Sequence, residues 1–86
     1  NNGAYLDSLG WAYFRKGRYH DALGKLKEAE KRLEEEGAPD AVVFDHIGDT
    51  YEKIGVIEKA VDYWRKSIKL ENKAEVQKKI RKYPGK

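Results

Sequence analysis

The stretch LDSLGWAYFRKGRYHDAL, residues 6–23, decides the fold. Its apolar residues recur at helical spacing, yet Gly10 falls inside the run and Gly17 near its middle. A glycine in a helix interior costs about 1 kcal/mol relative to alanine, so each needs a reason of its own. A second copy of the stretch supplies one. LGWAYFRKGRYHDALGKL (9–26) aligns with IGDTYEKIGVIEKAVDYW (47–64) at a constant offset of 38 residues. In that register Leu9 meets Ile47, Gly10 meets Gly48, Tyr13 meets Tyr51, Gly17 meets Gly55, Ala22 meets Ala60 and Leu26 meets Trp64. Two glycines, a tyrosine and an alanine coinciding in one register mark an internal repeat.

The two pairs of glycines then have different roles. Gly17 and Gly55 end the first helix of each copy, where a left-handed backbone suits a residue without Cβ. Gly10 and Gly48 lie within that helix and let the second helix pack closely, with Ala22 and Ala60 as the small residues opposite. Tighter burial offsets the local propensity cost. Apolar residues three and four apart predict helices over about 4–16, 19–36, 41–54, 57–71 and 73–82, with Asn2 or Gly3 capping the first and Asp40 the third. The second helix buries Tyr19, Ala22, Leu23, Leu26, Ala29 and Leu33; the fourth buries Ile57, Ala60, Val61, Trp64 and Ile68. The last helix shows Val76, Ile80 and Tyr83 on one side and is not a third copy. It reads as a solvating cap, apolar on one face and basic on the other.

A chain of 86 residues makes one small domain. Charged residues are 38% of it, against a usual share of about 25%; the 40% apolar share suffices for one buried face per element. The absence of Cys leaves no disulfide, thiolate metal site or cysteine nucleophile. No apolar run reaches the roughly 18 residues that span a bilayer, so no membrane insertion is expected, and no secretory signal pattern opens the sequence. The chain begins NNGAY and contains no Met. It reads as a piece of a larger protein, with NNG as the linker from a preceding repeat. The net charge of +3 hides an asymmetry: residues 1–64 carry 9 Lys/Arg against 13 Asp/Glu, residues 65–86 carry 9 against 2. The basic tail KSIKLENKAEVQKKIRK (66–82) is interrupted by Glu71 and Glu75 and lacks interleaved aromatics for base stacking. That pattern argues for a cap and against a nucleic-acid partner.

No catalytic constellation is present. His20 and His46 lie in different helices without metal-ligand spacing. His46 and Asp49 stand one turn apart and read as a solvated helix face, not as a metal site. Ser8 and Ser67 have no His/Asp arrangement, and the glycines form neither GxGxxG nor a phosphate loop. No cofactor and no enzymatic activity are expected.

The two copies carry Leu6, Leu9, Gly10, Tyr13, Gly17, Ala22, Leu26, Ala29 and Phe44, Ile47, Gly48, Tyr51, Gly55, Ala60, Trp64, Ser67. This pattern resembles the tetratricopeptide repeat (TPR) family over about residues 3–72. The family's period is about 34 residues; the added residues fall around EEEGAPD (34–40). The phrasing LDSLGWAYF…GRYHDAL resembles bacterial members, for which the cytoplasm and the periplasm are both open. The resemblance implies an all-α fold: antiparallel helix-turn-helix pairs stacked as a short right-handed superhelix with a C-terminal capping helix. The expected parts are repeat 1 at about 3–36, a linker at 37–40, repeat 2 at about 41–72 and the cap at about 73–83.

The resemblance also implies a non-enzymatic protein-interaction module whose first helices line a concave face. Matching positions on that face are Ala4, Asp7, Trp11 and Phe14 in the first copy and Val42, Asp45, Asp49 and Glu52 in the second, with Arg15 and Lys53 at the edge. Some members grip a peptide's terminal carboxylates with Lys, Arg and Asn here. This sequence departs from them, with Asp7, Trp11, Asp45 and Asp49 instead. An acidic stripe beside Trp11 and Phe14 favours a peptide or protein segment with basic residues and an apolar anchor, and tryptophan is enriched at binding hot spots. The alternative is a structural solenoid cap or self-association module, a homodimer forming through the uncovered side of the first helix.

Overall fold

The computed structural model describes residues 2–85. Five helices follow one another: α1 (Asn2–Arg15), α2 (Tyr19–Glu35), α3 (Ala41–Ile54), α4 (Ile57–Leu70) and α5 (Ala74–Arg81). No strand occurs among the described residues. α1 packs on α2 and α3 on α4 as two helical hairpins. The hairpins stack mainly through α2 against α3, and α5 lies on α4.

Local chemistry ends the first helix of each hairpin in the same way. Gly17 has φ +78° and Gly55 φ +94°, where a Cβ is strained. The turn lets the Arg18 N–H reach the Tyr13 carbonyl and the Val56 N–H reach the Tyr51 carbonyl, both at 3.0 Å, which satisfies carbonyls the helix leaves open. At the start of α3, Asp40 Oδ1 accepts from the backbone N–H of Val42 at 2.7 Å and of Val43 at 3.3 Å. Asp40→Ala is expected to cost about 1 kcal/mol in urea unfolding, with Asp40→Asn keeping most of the stability.

α1 differs from the sequence expectation at its start. Asn2 and Gly3 are helical and are neither a cap nor a linker; Asn1 lies outside the described residues. The cause is tertiary. Gly3 is buried on the end of α2, where a Cβ would fall 2.7 Å from Leu33 Cγ, so packing on α2 holds the first turn of α1.

The core is centred on Leu26, Ile47, Val61 and Trp64, all fully buried or nearly so, with Ala22, Ala29 and Ala60 fully buried beside them. Buried polar groups are paired: Ser67 Oγ donates to the Ala41 carbonyl at 2.8 Å, Thr50 Oγ1 to the His46 carbonyl at 2.7 Å, and Tyr63 Oη to Glu30 at 2.9 Å. The two copies are not equally covered. Ile47 and Tyr51 are buried because α3 meets both α2 and α4, whereas Leu9 and Tyr13 on α1 are only half-buried.

Candidate functional site

Asp7, Trp11 and Phe14 stand four and three residues apart, so they share one stripe of α1. Trp11 stacks on Phe14, with ring centres 4.2 Å apart and planes 12° from parallel. It also stacks on His46 of α3 at 3.9 Å and 13°. The Asp7 carboxylate meets His46 Nδ1 at 2.8 Å and fixes the imidazole against the indole. Phe14 in turn meets the edge of Tyr19 at the start of α2. Asp7, Trp11, Phe14 and His46 are half-buried and form one group bridging α1 and α3. Arg15 is exposed at the end of α1, apart from that group.

Asp45, Asp49 and Glu52 share the matching stripe of α3, and the chain's own last helix crosses it. Lys79 Nζ lies 2.8 Å from Asp45 Oδ1 and 2.9 Å from Asp49 Oδ1. Asp49 also accepts from the Trp64 indole N–H at 3.1 Å. Glu52 accepts from Lys82 Nζ at 2.8 Å and from the Tyr83 hydroxyl at 2.5 Å. The acidic stripe is therefore divided. Its α1 part faces His46, and its α3 part is largely neutralised by α5.

The ionisation of these groups follows from burial and partners. Burial pushes the Asp49 carboxyl above its ordinary value, with the neighbouring Asp45 adding to this and Lys79 and Trp64 opposing it. Burial works against the Lys79 ammonium, but its hydrogen bonds to Asp45 and Asp49 prevail and raise its pKa. Burial would likewise raise Glu52, yet the hydrogen bonds from Lys82 and Tyr83 hold it below its ordinary 4.5. A carboxyl depressed on folding stabilises above its unfolded pKa and loses that contribution as pH falls through the folded one. Glu52→Gln is thus expected to lower the urea midpoint at neutral pH, and the deficit should shrink as pH falls from about 6 to about 3. A deficit independent of pH would count against the ion pair.

His46 corrects the sequence expectation of a solvated face, because the ring of Trp11 covers it. The repeat gives no hint of this, since its counterpart 38 residues earlier is Ser8. Lys79, Lys82 and Tyr83 were also absent from the expected site. Their signal was the contrast between an acidic body and a basic tail. Among the described residues no group of three or more His, Cys, Asp or Glu side chains is placed to hold a metal ion, and no helix is long and apolar enough to cross a membrane.

Comparison with known proteins agrees with this architecture. A family model described as tetratricopeptide repeat matches residues 8–35 and 42–73. The heat shock protein STI1 of Saccharomyces cerevisiae is 31% identical over 80 residues, covering 90% of this chain and 14% of that protein. The chain thus spans a small part of that relative. Among solved structures, the TPR2AB-domain:pHSP90 complex of yeast Sti1 superposes with a TM-score of 0.85 at 28% identity, over 95% of this chain and 33% of that one. The N-terminal domain of stress-induced protein-1 (STI-1) from C. elegans gives 0.84 at 18% identity, over 94% and 66%, and so shares the fold. The chain belongs to the tetratricopeptide repeat family.

Proposed function

We propose that this chain is a non-enzymatic protein-interaction module that takes a partner segment across the inner faces of α1 and α3. The segment carries an apolar anchor that meets Trp11 and Val42, and Lys or Arg directed at Asp7, Asp45 and Asp49. The observation that carries this reading is Lys79. One ammonium held by both Asp45 and Asp49 is an internal example of how the stripe treats a cation. Val42 is 41% exposed beside it and adds apolar surface. The likeness to the Sti1 TPR2AB domain, solved with pHSP90, supports a protein or peptide as the kind of ligand. The acidic stripe sets the charge of that ligand.

The test is selection from a displayed peptide library, followed by affinity measurement on the selected sequences. Selected peptides are expected to be basic and aromatic. Trp11→Ala and Asp7→Lys, each with an unchanged helical circular dichroism spectrum, should weaken them at least about tenfold. Acidic selected peptides, or affinity untouched by both substitutions, would overturn the reading.

A second reading, self-association, has one observation in its favour. Tyr5 is 67% exposed on the outer side of α1, while Val43, its counterpart in the second copy, is 3% exposed. With half-buried Leu9 and Tyr13 it forms an apolar strip of the kind that finds partners. A homodimer through this strip predicts a dimer in sedimentation equilibrium that Tyr5→Glu abolishes; a monomer at high micromolar concentration contradicts it.

A further inference from the structure

We propose that the cleft between α4 and α5 is a second docking site, one that takes an acidic amphipathic helix of a partner protein. The cleft has a volume of about 580 Å³ and is lined by Asp62, Arg65, Lys66, Ile68 and Lys69 of α4 and by Asn72 just beyond it, with Gln77 of α5 as its far wall. Moving these positions from Asp62 to Asn72 back by the repeat offset of 38 gives Gly24, Lys27, Glu28, Glu30, Lys31 and Glu34. Those same six residues line a cleft of about 630 Å³ on α2. The same face of the second helix is therefore hollowed in both hairpins.

On α2 a neighbouring helix borders this face. It is α4, whose Tyr63 hydroxyl donates to Glu30 at 2.9 Å and accepts from Lys27 Nζ at 2.5 Å, and whose Lys66 Nζ stands 3.8 Å from Glu30. In the first copy the face meets side chains of a neighbouring helix, through Glu30 and Lys27. In the second copy the position of Glu30 is Ile68, which remains half-buried, whereas Glu30 is 8% exposed beneath α4.

The charge of the face also reverses. α2 presents two lysines and three glutamates there, and α4 presents Arg65, Lys66 and Lys69 against the single carboxylate of Asp62. Gln77 donates to the Asn72 side chain and closes one end of the cleft. A helix that fits brings leucine-like residues to Ile68 and glutamates to its flanks, where they meet Lys69 and the neighbouring cations. Such a contact depends on charge as well as burial, so it weakens with salt. This surface lies on the second helix of its hairpin and shares no residue with the α1–α3 stripe.

The test uses the chain as it is and two labelled synthetic helical peptides of about 20 residues, one with a leucine stripe flanked by glutamates and one with lysines in place of the glutamates. The glutamate peptide is expected to bind in fluorescence anisotropy, less tightly as salt rises. Lys69→Glu and Ile68→Glu are each expected to weaken it about tenfold, and Trp11→Ala to leave it unchanged. Lys69 is exposed, so its substitution reads binding even if Ile68→Glu disturbs packing. No binding, equal binding of both peptides, affinity unaffected by Lys69→Glu, or a dimer of the chain that Lys69→Glu dissolves would each overturn the proposal.

Discussion

Gly48→Ala is expected to destabilise the chain by about 3 kcal/mol, a fall in melting temperature of about 12–24 °C for a domain of this size. Helix propensity alone gives the opposite sign, since alanine replaces glycine in a helix interior with a gain of about 1 kcal/mol. The close approach of α4 decides the outcome. A Cβ on Gly48 would lie 2.5 Å from Trp64 Nε1 and 3.1 Å from the Ala60 carbonyl oxygen. Trp64 is fully buried and Ala60 O is backbone, so neither can give way cheaply. The first hairpin repeats the arrangement, with a Cβ on Gly10 falling 2.7 Å from Leu26 Cγ and 3.2 Å from the Ala22 carbonyl oxygen. Gly24 of α2 is the internal control. A Cβ there meets nothing within 4 Å, so Gly24→Ala should raise stability by about 0.5–1 kcal/mol. Urea melts of the two variants that move in the same direction would contradict the packing account.

Trp64→Ala is expected to cost about 3–5 kcal/mol, a large part of the roughly 5–15 kcal/mol that holds a typical domain folded. The indole is 0% exposed, lies over Gly48, and stacks near Tyr83 with ring centres 6.2 Å apart. Its removal opens a cavity at the centre of the second hairpin. It also takes a hydrogen bond from Asp49, whose carboxyl burial already pushes upward. Asp49 holds Lys79, so the loss should spread to α5 and appear as faster amide hydrogen exchange there than in α2. Trp64→Leu, which installs the residue found at Leu26, should recover about half the loss. Uniform exchange across the helices of Trp64→Ala would separate the core of the second hairpin from the seating of α5.

The hairpins were legible because their signals are local or repeated. α3 begins after Asp40 and ends before Gly55, as a side-chain cap and a left-handed residue require. The beginning of α1 was not legible, since it depends on Gly3 meeting Leu33, a contact between residues 30 apart. The inner-face stripe shows the same division. Helical spacing aligns Asp45, Asp49 and Glu52, but only the path of α5 decides that Lys79 and Lys82 answer them. The sequence offered the charge contrast between body and tail without its geometry. His46 had no such signal, because a ring stacked on Trp11 and a ring in water look alike in a sequence. The paired clefts became visible only once lining residues could be compared at the repeat offset.

The central claim is that a partner segment binds across α1 and α3. The most direct measurement is a nuclear magnetic resonance titration of the isotope-labelled chain with a selected basic, aromatic peptide. The account predicts chemical-shift changes concentrated at Asp7, the Trp11 indole N–H, Phe14, Val42, Asp45 and Asp49, with a smaller response at Lys79 as its carboxylates are shared. Changes confined to the α4–α5 cleft or to the outer side of α1, with the Trp11 indole unmoved, would contradict it.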